Sequence, residues 1–114
     1  MPIPELVKRQ AEKLLTTYCQ QRVPDCMRNQ LRIDFRIRDN MATLYEERVL
    51  PSSPDQWLTT LIAQLRFHPE LDQWTLHYAD RSGKWHPYLN VPPTLNFSKL
   101  LEALDSDPLG FFWG

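Results

Sequence analysis

Gln30-Leu-Arg-Ile-Asp-Phe-Arg-Ile-Arg-Asp-Asn-Met-Ala-Thr-Leu-Tyr-Glu-Glu-Arg48 is the stretch on which the fold turns. Leu31, Ile33, Phe35 and Ile37 alternate with Arg32, Asp34, Arg36 and Arg38, the period of two that marks a strand with one dry and one wet face. Asp39 and Asn40 follow, and both residue types accept the left-handed backbone of a two-residue hairpin loop. Such a turn fixes the register: Ile37 opposes Ala42, Arg36 opposes Thr43, Phe35 opposes Leu44, Asp34 opposes Tyr45 and Arg32 opposes Glu47. Apolar side chains then share one face, and the opposite charges of Arg32 and Glu47 meet on the other. A slip of one residue would turn Phe35 and Ile37 into water, so the pairing is strongly specified.

Upstream, Pro4 suits the first position of a helix and Glu5 its positive end. Leu6, Val7, Ala11, Leu14, Leu15 and Tyr18 recur at three- and four-residue spacing, giving an amphipathic helix of about five turns that ends before Pro24. Acidic residues interrupt its basic side, which favours packing on the hairpin's dry face over lying on a membrane.

Downstream, Pro51-Ser52-Ser53-Pro54 is a break, and the next segment carries two patterns. Trp57, Leu58, Leu61, Ile62 and Leu65 follow a helical period, whereas Ala63, Leu65 and Phe67 alternate with Gln64, Arg66 and His68. The expectation is a helical turn near Trp57 and a strand from about Leu61 to Phe67. Trp74, Leu76 and Tyr78 form a further strand. Asp80-Arg81-Ser82-Gly83 then reads as a type I turn with a G1 bulge, and Lys84 to Tyr88 returns as an edge strand because Pro87 cannot donate to a ladder. After the extended Val91-Pro92-Pro93, Asn96 caps a helix whose stripe is Phe97, Leu100, Leu101 and Leu104. The closing Leu109-Gly-Phe-Phe-Trp-Gly114 is the most apolar short run, expected to dock on the core, with a homodimer through Phe111, Phe112 and Trp113 as the alternative.

The predicted fold class is therefore α+β: an N-terminal helix, an antiparallel meander of about five strands and a C-terminal helix, with the helices on one face of the sheet. At 114 residues the expectation is a single domain spanning 1–114. With 42% apolar and 24% charged residues the chain has the composition of a folded protein, and its net charge of −1 argues against broad electrostatic binding to nucleic acid or anionic membrane. No run approaches the roughly 18 apolar residues of a spanning helix, and no export signal precedes the first helix. Cys19 and Cys26 lack a zinc-like spacing and are read as reduced thiols of a cytoplasmic protein.

Several stretches together are similar to one family: Leu31 to Arg38 with Thr43 to Arg48, Ile62-Ala-Gln64, Trp74-Thr-Leu76, Asp80 to His86 and the closing Phe-Trp-Gly. They resemble the small bacterial family catalogued as domain of unknown function 3024. The resemblance covers nearly the whole chain, implies a bacterial protein and a strand around Ile62 to Phe67, and carries over no functional residue.

Three glycines leave no phosphate-cradling loop, and no Ser/His/Asp or Cys/His arrangement is present, so neither a catalytic residue nor a cofactor is read. His77 and His86 invite a metal or acid–base reading: the three-residue loop that the turn chemistry prefers sends them to opposite faces, a two- or four-residue loop would place them opposite each other, and a zinc site would need a third ligand. The candidate surface is the sheet's wet face: Arg32, Asp34, Arg36, Tyr45 and Glu47, with Arg66 and His77 as neighbours. Arginines two apart on a strand lie about 6 to 7 Å from each other, close enough to grip adjacent phosphates or carboxylates of a protein or nucleic-acid partner. The competing reading is a solvated face whose charges pair among themselves, as Arg32 with Glu47, contributing roughly 0 to 1 kcal/mol per pair.

Overall fold

The alternation from Leu31 onward does build the sheet. In the computed structural model, which describes residues 3–113, β1 (Leu31–Arg38) pairs antiparallel with β2 (Met41–Leu50), and all five predicted partners are opposed. Asp39 takes the left-handed backbone at φ 55°, and Asn40 ties the turn to the third strand, its Nδ2 donating to the Phe67 carbonyl at 3.0 Å. Next come β3 (Ser53–His68), β4 (Gln73–Ala79) and β5 (Trp85–Pro87), in the spatial order β1-β2-β3-β4-β5. Two helices, α1 (Glu5–Arg22) and α2 (Phe97–Ser106), lie on the dry face, giving the expected α+β meander. Neither helix is long and apolar enough to cross a membrane.

The core is the interface between that face and the helices. Ala42, Leu44, Ala63, Leu65, Phe67, Trp74 and Leu76 from the sheet meet Ala11, Leu15 and Cys19 of α1 and Phe97, Leu100, Leu101 and Leu104 of α2. Trp74 is its centre, edge-on to Phe67 at 5.2 Å and to Phe97 at 4.9 Å. Each fully buried large side chain of this kind contributes about 1.5 to 3 kcal/mol.

Two expectations about helix α1 change. Leu6 is 81% exposed and takes no part in the stripe, whereas Cys19 does. At 3.6 residues per turn Leu6 lies about 180° around the helix from Leu15, so geometry outweighs its hydrophobicity. Pro4 caps the helix from outside, its carbonyl accepting the Lys8 N–H at 2.9 Å.

The larger correction concerns residues 53–67. No helical turn forms near Trp57; one strand of 16 residues runs from Ser53 to His68. Its register slips twice, near its start between Val49, which faces Trp57, and Leu50, which faces Ser53, and again in its middle, where Leu44 faces Ala63 but Tyr45 faces Leu61, leaving Ile62 as the extra residue of a β-bulge. Before the bulge Trp57 and Leu61 face outward, and after it Ala63, Leu65 and Phe67 face inward, with Ile62 and Ala63 both buried. Apolar residues that change faces at a bulge reproduce the spacing of a helix, which is why the segment carries both patterns.

The three-residue loop forms as expected: Tyr78 opposes His86, Ala79 opposes Trp85, and the Asp80 N–H donates to the Lys84 carbonyl at 2.8 Å. Asn96 caps α2 through its side chain, accepting the Ser98 N–H. The aromatic terminus docks: Phe112 is buried, and the Trp113 indole donates to the Leu104 carbonyl at 3.0 Å.

Candidate functional site

With both helices on the dry face, the other side of the sheet is open, and the register decides what it displays. Arg32, Asp34, Arg36 and Arg38 project from β1. Beside them on β2 are Met41, Thr43, Tyr45 and Glu47, and on β3, after the bulge, Gln64, Arg66 and His68. Thr75 and His77 complete the face on β4. All seven predicted residues, Arg32, Asp34, Arg36, Tyr45, Glu47, Arg66 and His77, therefore share one side. Over the middle strands the surface dips into a concavity of about 390 Å³, bordered by Arg36, Arg38, Tyr45, Glu47, Thr59 and Gln64.

The floor of this face is a polar network. Gln64, buried, donates from Nε2 to the Thr43 hydroxyl at 3.0 Å and accepts from Arg66 Nε at 2.7 Å, so the amide fixes the Arg66 guanidinium. Thr75 Oγ1 lies 2.8 Å from His68 Nε2 and 2.9 Å from His77 Nε2, linking the two rings. Burial pushes the His77 imidazole down to about 4, with the Arg66 charge and then His68 acting in the same direction. His77 is thus neutral at physiological pH, and its buried Nδ1 has no hydrogen-bond partner among the described residues. The Tyr45 hydroxyl is held above its ordinary range by burial and by the Asp34 and Glu47 carboxylates, against the opposing effect of Arg36.

The expected pairing of Arg32 with Glu47 does not form. Among the described residues Arg32 has no carboxylate within 4.0 Å and instead lies over the Trp57 ring, 4.0 Å from its centroid. The indole outcompetes the directly opposed carboxylate because a weakly hydrated guanidinium gains from an aromatic face what an exposed ion pair loses to solvent. Trp57 and Arg38 are thus parts of the surface that sequence reasoning missed. Arg38 was readable from its parity; Trp57 required knowing where the bulge lies.

His86 is on the other side. It opposes Tyr78, stacks on that ring at 5.5 Å and contacts Asp80 Oδ2 from Nε2 at 2.7 Å. That contact, with the Lys84 and Ser82 N–H groups, holds the Asp80 carboxyl below its ordinary value. His77 and His86 therefore cannot bind one ion. Among the described residues no three His, Cys, Asp or Glu side chains gather as metal ligands. Cys19 is buried, its thiol pushed up to about 12 by burial and then by Asp34, and Cys26 is exposed; both are free.

Fold and face together define a small α+β protein: a five-stranded antiparallel meander with helices on one side and an open, arginine-bearing surface on the other. The chain belongs to the family described as Domain of unknown function (DUF3024), whose family model matches residues 3–114. No curated protein and no solved structure matches it.

Proposed function

We propose that the open face binds an anionic partner, a protein or a nucleic acid, and that the protein is a non-enzymatic binding or adaptor module of the bacterial cytoplasm. The supporting observation is a contrast between two sets of arginines. Arg9, Arg22, Arg28 and Arg48 are neutralised by Glu5, Asp105, Asp25 and Glu46. Among the described residues the arginines with no carboxylate within 4.0 Å are Arg32, Arg36, Arg38 and Arg66, all on the open face, and Arg81 in the β4–β5 turn. A guanidinium without a counter-ion keeps its planar fork free for a carboxylate or phosphate. Asp34 and Glu47 lie among these cations, so the surface offers discrete positive points and suits a partner gripped at a few places.

Fluorescence anisotropy with two labelled probes, an oligothymidylate and a polyglutamate peptide, tests this reading. One probe binds, binding weakens as salt rises, and it is lost in an Arg36→Glu, Arg66→Glu double variant. Failure of both probes, or binding indifferent to salt or to the double reversal, refutes it. The second reading, a small enzyme or metal protein using His77 and His86, has the register against it.

A further inference from the structure

The two rims of the sheet are not alike. On the β5 side, the end strand has three residues and includes Pro87, and Thr94 bridges Trp74 beyond it, donating at 3.0 Å and accepting at 2.7 Å. Among the described residues strand β1 has no such cover: it runs eight residues without proline, glycine or bulge. The Val49 N–H donates to the Gln30 carbonyl at 3.0 Å, which places even-numbered residues in the ladder with β2. Leu31, Ile33, Phe35 and Ile37 accordingly turn their backbone N–H and C=O groups away from the sheet. Asp34 blunts one of them, its carboxylate accepting the Phe35 N–H at 2.8 Å. Between this rim and α1 runs a groove of about 390 Å³, lined by Cys19, Val23, Ile33 and Phe35 and edged by Arg32 and Asp34.

We propose that the rim pairs with the same rim of a second copy, antiparallel, with Ile33 opposite Ile33, joining two five-stranded sheets into one of ten. Charge selects the register. A two-fold axis at Asp34 sets Asp34 against Asp34 and Arg32 against Arg36, so the wet-face pairs repel. An axis at Phe35 matches Asp34 with Arg36 but opposes Arg32 to Arg38. An axis at Ile33 matches Arg32 with Asp34 twice, leaves no like-charge pair within the strand, and puts Leu31 against Phe35 on the dry face, beside the apolar groove. In that register the Phe35 N–H donates to the Leu31 carbonyl of the second copy, and the Asp34 carboxylate it releases meets Arg32 across the axis. A foreign extended peptide would offer the same backbone groups, but only a second copy is certain to bring the matching charges.

Analytical ultracentrifugation without any added partner tests the pairing independently of the anionic-ligand reading. The wild type sediments at twice 13.5 kDa. Asp34→Arg, which opposes arginine to arginine, sediments as a monomer, and adding Arg32→Asp restores the dimer. Arg32→Asp alone opposes aspartate to aspartate, keeps the Phe35 cap and is also monomeric; far-UV circular dichroism confirms that each variant is folded. In the wild type, amide exchange at Leu31, Ile33 and Phe35 slows as protein concentration rises. A monomeric wild type, a dimer that survives either single reversal, a folded double variant that stays monomeric, or exchange independent of concentration overturns the proposal.

Discussion

The Arg32 guanidinium lies 4.0 Å from the centroid of the Trp57 ring, joining β1 to β3 across the top of β2 on the open face. A contact of this kind at an exposed site is worth about 0.5 to 1 kcal/mol. Trp57→Ala is therefore expected to lower the urea midpoint by a correspondingly small amount without changing the slope. A loss of several kcal/mol would mean that Trp57 has a structural role beyond this contact.

His77 makes stability depend on pH. Its folded value of about 4 lies below the ordinary 6.5, so the unfolded chain binds the extra proton between those values. Stability is full above about 6.5, falls as the pH drops toward 4 and has lost this contribution below that, a change of about 3 kcal/mol. Asp80, held below its ordinary 3.8, titrates outside this window. Urea midpoints measured across the window should decline in the wild type and flatten in His77→Gln; equal slopes in the two proteins would contradict the assignment.

The bulge at Ile62 lets one strand serve two faces. Ile62→Ala is expected to cost about 2 to 5 kcal/mol, since the residue is buried beside Ala63. Removing residue 62 altogether would set Leu61, opposite Tyr45, directly beside Ala63, opposite Leu44, a regular alternation in which Trp57, Leu61, Leu65 and Phe67 all keep their faces, so the deletion should cost about as much as losing the buried side chain. A cooperative urea transition with a lowered midpoint is the expected signature, and loss of cooperativity in the deletion variant would show that the bulge itself is required.

At the C terminus Asp107 accepts the Trp113 N–H at 2.8 Å and the Phe112 N–H at 3.3 Å, folding the aromatics onto α2. Phe112→Ala should cost about 3 to 5 kcal/mol in urea unfolding, with the sedimenting mass unchanged. Unchanged stability with a change in mass would instead make Phe111, Phe112 and Trp113 an interface.

The first hairpin was legible because its evidence is redundant: alternation, turn chemistry and cross-strand charge all select one register, and the structure has it. The β4–β5 loop was legible for the same reason, with Asp80 and Gly83 at fixed places in one turn type. Strand β3 was not, since a single inserted residue converts two period-two runs into an apparent period of 3.6. Leu6 misled because its hydrophobicity was read without its angle around the helix. On the candidate site, parity placed the predicted side chains correctly, but parity cannot choose between an opposed carboxylate and a diagonal indole as the partner of Arg32.

The meander also sets an order of assembly. Every strand pairs with its neighbour in sequence, so the hairpins can zip locally and quickly. Joining the ends is different: Arg22 reaches Asp105 at 2.7 Å across 83 residues of chain and also covers the Trp113 ring. That closure carries the largest loop entropy among these steps and belongs after the transition state. Kinetic φ-values near zero at Arg22 and Asp105, with high ones in the β2–β3 hairpin, are its signature, and the reverse pattern would place the meeting of the helices first.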